Sequence, residues 1–266
     1  MGRVDGKVAF VTGAARGQGR AHAVRLAQEG ADVVVTDLAG PVETVTYTPA
    51  TPDDLAETVK EVEALGRRVI SFEADVRDHD ALAAGLDAAV AELGGLDVVV
   101  ANAGIINAVR PSWELDEADW QTMIDINLSG VWHTTKAAVP HLIERGPGGS
   151  LVLISSTAGL RGIPGIAHYN AAKHGVLGLT TSAALEYAAQ GIRINAVCPG
   201  LIQTPMSDQM MAAGQADALD AMLKDVPVGR LGRADEIADA VLWLCSSAAS
   251  LVVGHALAVD GGYTIH

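Results

Sequence analysis

Lys7-Val8-Ala9-Phe10-Val11-Thr12-Gly13-Ala14-Ala15-Arg16-Gly17-Gln18-Gly19 is the stretch on which the fold turns. Val8 to Val11 is a continuous apolar run of strand length, which predicts a strand buried on both faces, as in a parallel sheet. A glycine-rich turn follows, and then a segment with Ala21, Val24, Leu26 and Ala27 on one side, which reads as a helix. The order strand, glycine turn, helix lets the backbone approach an anion closely, and it aims the unpaired N–H groups of a helix N-terminus at that anion. A glycine-rich turn alone is weak evidence; its place between the first strand and the first helix strengthens it. The spacing G-x-x-x-G-x-G departs from the G-x-G-x-x-G of the longer dinucleotide-binding chains.

Outward from this turn, apolar runs alternate with helical patterns to the end of the chain. Strands are predicted at Lys7–Thr12, Ala31–Asp37, Arg68–Ala74, Leu96–Ala101, Ser150–Ser155, Ile192–Cys198 and His255–Asp260. Helices are predicted at Gly17–Glu29, Pro52–Leu65, Asp78–Leu93, Glu117–Ile143, Tyr169–Ala189 and Ala234–Ser246. This alternation specifies an α/β, doubly wound Rossmann fold, a seven-stranded parallel sheet flanked by helices on both faces. No linker separates two cores, so residues 1–266 read as a single dinucleotide-binding and catalytic domain.

The 266 residues are 49% hydrophobic and 19% charged, enough apolar material for a sizeable core. The formal net charge of −14 repels phosphate polymers and anionic lipid, so neither nucleic acid nor a membrane is expected as a partner. Cys198 and Cys245 have no metal-ligand spacing, nor do the eight histidines, and no metal is expected. The cysteine usage and the polar start of the chain fit a cytoplasmic protein. His168 reads as structural or solvent-facing, and Trp113, Trp120, Trp132 and Trp243 as packing or subunit-contact residues.

Asp37 ends the second strand. A carboxylate there accepts hydrogen bonds from the adenosine ribose hydroxyls and repels a 2′-phosphate; Leu38, Ala39 and Gly40 supply no cation for that phosphate. NAD is therefore expected over NADP. Arg16 is the basic residue within the turn and is in reach of a phosphate.

Tyr169 and Lys173 are four residues apart and share a helix face. An ammonium beside a phenol lowers the phenol's pKa, and a phenol so tuned exchanges a proton with an alcohol or ketone oxygen while hydride moves at carbon. Ser156 follows the fifth strand, at the carboxyl edge of the sheet, where it can hydrogen-bond the same oxygen. Y-x-x-x-K alone is uninformative; the ordered set of glycine turn, Asp37, Ser156, Tyr169 and Lys173 is not.

With these residues in order, the chain resembles the short-chain dehydrogenase/reductase family over essentially its whole length. The resemblance rests on Thr12-Gly13-x-x-x-Gly17-x-Gly19, Asn102-Ala103-Gly104, Asn127, Ser156, Tyr169-x-x-x-Lys173 and Pro199-Gly200. It implies Tyr169 as general acid/base, Ser156 as binder of the substrate oxygen, Lys173 as tuner of Tyr169 and holder of the nicotinamide ribose, and Asn127 as anchor of a proton-relay water. It further implies a cofactor site of Gly13, Arg16, Gly17, Gln18, Gly19, Asp37, Leu38, Asp75, Val76, Asn102, Ala103, Gly104, Pro199, Gly200, Ile202 and Thr204, with Asp75-Val76 at the adenine and Ile202 and Thr204 at the carboxamide. A homotetramer or dimer built on the Glu117–Ile143 and Tyr169–Ala189 helices is also implied. Gln18 stands where the family usually carries an apolar residue, and Ala101 where Asn is common.

Leu38 to Ala50 lacks periodicity, and Thr51-Pro52-Asp53-Asp54 then opens a helix with a capping hydroxyl and a first-position proline. The stretch Tyr47 to Val59 is similar to an insertion in actinobacterial dehydrogenases of the mycofactocin-associated, carveol-dehydrogenase-like subgroup. That resemblance implies NAD held tightly, with an external electron acceptor recycling it, and a loop lying over the adenosine end. Residues 200–224, with Met206, Met210, Met211 and Met222, read as a mobile lid; Leu160, Ile163 and Ile106 are expected in the same apolar pocket. The substrate expected is a small apolar secondary alcohol or its ketone. The alternatives are a 3-oxoacyl-thioester (acyl-carrier-protein) reductase, against which Asp37 and the acidic surface weigh, and a non-catalytic NAD-binding module, which needs none of Ser156, Tyr169 and Lys173.

Overall fold

A computed structural model describes residues 2–210 and 223–266. Seven strands are laid down in chain order: β1 (Val8–Thr12), β2 (Asp32–Asp37), β3 (Val69–Glu73), β4 (Val98–Ala101), β5 (Ser150–Ile154), β6 (Arg193–Pro199) and β7 (Ala256–Val259). All pairings are parallel, and the order across the sheet is β3-β2-β1-β4-β5-β6-β7.

The alternation of side chains along each strand sorts the core into two layers. Ala9, Val11, Val33, Val35, Val98, Val100, Val152 and Ile154 face one side, where they meet α1 (Gly17–Gln28), α2 (Pro52–Ala64) and α8 (Ala234–Cys245). Phe10, Val34, Val99, Leu151, Leu153 and Ile194 face the other, against α3 (His79–Leu93), α5 (Gly130–Arg145) and α6 (Ala167–Tyr187). Two buried faces explain why the strands read as unbroken apolar runs.

The expected helix over Glu117–Ile143 is one continuous rod with a fault in it. α4 (Glu117–Ile124) passes into a π-helical turn, Asp125–Ser129, before α5 begins. The extra residue of a π turn redirects side chains and is found mostly at functional sites. Here it carries Asn127. α7 (Pro205–Met210) follows β6. The expected lid at 200–224 falls largely on residues 211–222, which lie outside the described residues, as do the side chains of Met206 and Met210. His168 is structural rather than solvent-facing, being fully buried, and Trp113 is 82% exposed.

β1 and β4 are neighbours, yet the chain leaves them in opposite directions across the sheet. At such a switch point the loops after the two strands part and leave a crevice beyond their carboxyl ends.

Candidate active site

That crevice is a cleft of about 280 Å³. Every residue expected at the cofactor or catalytic site lines it except Asn127 and Ile202. Ile202 is buried instead, its backbone bridged to Gly232.

The glycine turn forms one end. Gly13 and Gly17 have φ of +66° and +57°, a region open to glycine at little cost. Gly19 is required for a different reason: a Cβ there would stand 1.9 Å from the Gly13 carbonyl oxygen. Asn102 staples this turn to β4. Its side-chain amide donates to the Thr12 and Gly13 carbonyls at 2.9 and 3.1 Å, while the Thr12 hydroxyl accepts from the Asn102 and Ala103 N–H groups.

The first turns of α1, α2 and α3 differ. Thr51 caps α2 through a reciprocal pair with Asp54, and Asp78 caps α3 by accepting from Asp80 and Ala81. α1 begins after Arg16 with no side-chain cap and no acidic residue in its first turn. The orphan N–H groups of a helix start need an acceptor. In α1 they face the cleft at Gly17, Gln18 and Gly19, a ready seat for a pyrophosphate. Gln18 adds a polar side chain to this end; its Oε1 is buried without a partner.

Asp37 sits at the rim, 3.0 Å from the Ala15 N–H with one carboxylate oxygen and 3.0 Å from the Ala39 N–H with the other. Asp75, farther along, is bidentate with the Arg77 guanidinium and half-buried. These residues fit a bound NAD: an uncapped helix for the phosphates and a carboxylate for the ribose diol, with no cation at residues 38–40.

At the other end stand Ser156, Tyr169 and Lys173. Ser156 leaves β5 in extended backbone, and its oxygen accepts from the Ala158 N–H at 3.1 Å, which turns its proton toward the Tyr169 phenol. Lys173 is buried, its ammonium 5.6 Å from the centre of the Tyr169 ring and 2.9 Å from the Ile154 carbonyl oxygen. Asn127 approaches from behind. Its side chain is clamped to the Ile105 backbone by two hydrogen bonds of 2.8 Å. A Cβ on Gly104 would lie 3.2 Å from Asn127 Oδ1 and 3.6 Å from Lys173 Nζ, so a glycine at 104 is what lets these groups gather.

The electrostatics revise one expectation. Burial pushes the Tyr169 phenol above its ordinary value, with the Ser156 hydrogen bond pulling the other way. Burial pulls the Lys173 ammonium down to about 8. Desolvation therefore outweighs the attraction between ammonium and phenolate that the four-residue spacing suggests.

The segment between β2 and α2 goes further than expected. Residues 38–51 form a strap that crosses the cleft from Asp37 toward Tyr169 and does not stop at the adenosine end. Val42 and Val45 pack in one cluster with Ile105, Ile126 and Tyr169. The Tyr47 phenol accepts from the Ile106 N–H, and burial pushes its pKa up to about 12. Arg16, expected at a phosphate, instead donates to the carbonyls of Thr48 and Pro49 at 2.6 and 3.4 Å. Arg20 donates to Ala15 and Asp54 carbonyls, and Thr58 to the Ala14 carbonyl, lacing the start of α2 onto the glycine turn. Val42 and Val45 were not singled out by the sequence, where only the length of the aperiodic stretch pointed to them; Tyr47 opens the stretch read there as an insertion. Conversely, Leu160, Ile163 and Ile106 do not line the cleft, and Ile105, Ile126 and Ile154 do.

Among the described residues no group of His, Cys, Asp and Glu could hold a metal ion, and no helix is long and apolar enough to cross a membrane.

The chain is similar to known proteins over its whole length. A family model described as "Enoyl-(Acyl carrier protein) reductase" matches residues 13–264. The chain is 45% identical over 277 residues to (-)-trans-carveol dehydrogenase of Rhodococcus erythropolis, covering 100% of each chain. It is 45% identical over 258 residues to cis-4-hydroxycyclohexanecarboxylate dehydrogenase of Sinomonas cyclohexanicum, covering 97% of this chain and 96% of the relative. The crystal structure of carveol dehydrogenase from Mycobacterium avium in complex with NAD superposes with a TM-score of 0.95 at 46% identity, covering 100% of both chains. The chain belongs to the short-chain dehydrogenase/reductase family.

Proposed function

We propose that this protein is an NAD-dependent oxidoreductase that interconverts a cyclic, largely apolar secondary alcohol and its ketone. One observation carries the reading: a serine hydroxyl, a phenol and an ammonium converge at one end of a cleft whose other end is an uncapped helix beside a carboxylate. When bound, NAD supplies the hydride acceptor or donor. The rest is done by the chain.

Ser156 and Tyr169 hydrogen-bond the substrate oxygen. In the oxidative direction the Tyr169 phenolate takes the hydroxyl proton as the carbonyl forms; in the reductive direction the phenol returns it. The Lys173 ammonium stabilises the phenolate, and it is available to the nicotinamide ribose. Asn127, held at the π turn, fixes the Ile105 backbone and anchors the water that passes the proton outward. Gly13, Arg16, Gly17, Gln18 and Gly19 seat the pyrophosphate end, with Arg16 acting through the strap. Asp37 and Leu38 meet the adenosine ribose, Asp75 and Val76 the adenine, Asn102, Ala103 and Gly104 the cofactor's flank, and Pro199, Gly200, Ile202 and Thr204 its carboxamide end.

The cyclic substrate class rests on the names of the two dehydrogenase relatives and on the apolar wall of Val42, Val45, Ile105, Ile126 and Ile154. The strap supports tight retention of NAD, with an external electron acceptor recycling it. Half-exposed Trp120 and Trp132 and the exposed Leu185, on α4, α5 and α6, suit a homotetramer joined through those helices. A cytoplasmic site of action fits the free, buried Cys198 and Cys245.

The test is a panel of cyclic secondary alcohols given to the purified protein with NAD, with and without an artificial electron acceptor. Ketone formation is expected to depend on NAD and to continue beyond one turnover only with the acceptor. No ketone from any member of the panel would rule the reading out.

A further inference from the structure

Three segments meet beside the catalytic phenol: the strap, the stretch after β4 at residues 102–111, and the start of α6. One side chain of the middle stretch joins the strap, α4 and the start of α6. Asn107 Nδ2 donates to the Thr44 hydroxyl of the strap at 3.2 Å and to the Asp119 carbonyl of α4 at 3.0 Å. Its Oδ1 lies 2.6 Å from Nε2 of His168, the residue next to Tyr169 on α6. The Asp119 carbonyl can only accept, so the amide orientation is fixed, and His168 must present Nε2–H to Oδ1. His168 is fully buried, and Asn107 anchors its Nε2, alongside a hydrogen bond between the imidazole and the Ile166 backbone. The residue before Asn107 receives the strap as well, through the Tyr47 phenol and the Ile106 N–H.

We infer that Asn107 is a positioning residue that latches the strap to the helix carrying Tyr169, holding the strap over the cofactor through one arm and the start of that helix through the other. The inference deepens the proposed retention of NAD and rests on that reading. Thr44 is the strap's arm of the latch and His168 is the catalytic helix's arm. Losing the Thr44 arm frees the strap without disturbing Tyr169. Losing Asn107 frees the strap and loosens the start of α6 together.

The experiment is exchange of labelled NAD bound to the holoenzyme against excess unlabelled NAD, with kcat and melting temperature measured alongside. Thr44→Val removes the hydroxyl at nearly constant shape, and Thr44→Ser keeps it. Thr44→Val is expected to release NAD about fivefold faster, the effect of one ordinary hydrogen bond, with kcat per bound NAD unchanged. Thr44→Ser is expected to release at the wild-type rate. Asn107→Leu is expected to speed release at least as much and also to lower kcat. The Thr44→Val/Asn107→Leu double variant is expected to release no faster than Asn107→Leu alone, because both changes cut the same connection. Should Asn107→Leu fail to fold, the Thr44→Val to Thr44→Ser ratio decides alone. Equal release from Thr44→Val and Thr44→Ser, or additive effects in the double variant, overturns the latch. Rapid release from the wild type would count against tight retention, while the ratio of the two Thr44 variants still judges the latch.

Discussion

The Lys173 ammonium stands 5.6 Å from the centre of the Tyr169 ring and commits one proton to the Ile154 carbonyl oxygen, 2.9 Å away. The lysine is thus fixed to the end of β5, the strand that also delivers Ser156, and the phenol is met from two sides by groups hung on one strand. A catalytic geometry tied to the sheet holds its distances better than one built on loops alone.

From this follows the first expectation. Tyr169→Phe removes the proton carrier and keeps the ring that packs with Ala172, Ile105 and the strap valines. Turnover should fall by roughly 10²–10⁴-fold, the range of a positioned acid/base, with NAD affinity changed little. Steady-state kinetics and NAD titration check it; a variant that oxidises the same alcohol at the wild-type rate removes Tyr169 from the mechanism.

The buried ammonium has a consequence for stability. Burial takes Lys173 from its ordinary value of 10.5 to about 8 in the folded protein. A base with a depressed folded pKa opposes folding fully below the folded value, and the opposition fades as pH rises toward the unfolded value. Lys173→Met should therefore stabilise the NAD-stripped protein near pH 7, by roughly 3 kcal/mol at most, and less once the bond to Ile154 is lost. The gain should shrink between about pH 8 and about pH 10.5, the window set by those two values. Denaturant melts of wild type and variant across that range read it directly, and a gain that grows with pH has the wrong sign.

Asp37 should set cofactor choice. Its two oxygens hold the Ala15 and Ala39 N–H groups, so the carboxylate both shapes the turn and presents its charge to the ribose. Asp37→Asn keeps an acceptor and removes the charge. NAD affinity should drop about tenfold, a change of about 1.4 kcal/mol, and the preference for NAD over NADP should narrow by at least as much. Titration with each cofactor gives both numbers. An unchanged preference would mean that something other than this charge excludes the 2′-phosphate.

How much of this could be read in the chain depends on whether the cause is local. The seven strands were legible because burial on two faces leaves unbroken apolar runs such as Val33-Val34-Val35 and Val98-Val99-Val100. The capped start of α2 was legible because Thr51 and Asp54 act within one turn. The π turn at Asp125–Ser129 was not, since Asp-Ile-Asn-Leu-Ser contains neither glycine nor proline and its cause is the clamp between Asn127 and Ile105, 22 residues away. The strap's reach was hidden for the same reason: Tyr47 finds its donor at Ile106 and Thr44 finds Asn107, contacts between segments that share no pattern. The direction of the Tyr169 shift was missed because four-residue spacing reports proximity, whereas burial belongs to the whole cleft.

Arg16 gives the last expectation. A cation in a phosphate-binding turn invites a phosphate contact, but its guanidinium is held by the Thr48 and Pro49 carbonyls of the strap. The two roles respond differently to salt. Attraction between a half-exposed guanidinium and a phosphate is screened strongly as ionic strength rises, with a Debye length of about 10 Å at 0.1 M and about 3 Å at 1 M. Hydrogen bonds to neutral carbonyls carry no net charge on the partner and are screened far less. Arg16→Ala should therefore speed NAD release by about tenfold, as expected for a lost pair of charge-assisted hydrogen bonds, and the ratio to wild type should be nearly the same in low and high salt. Release rates measured at both ionic strengths decide between the roles: a ratio that collapses in high salt would place the guanidinium on the phosphate, whereas a constant ratio leaves it on the strap.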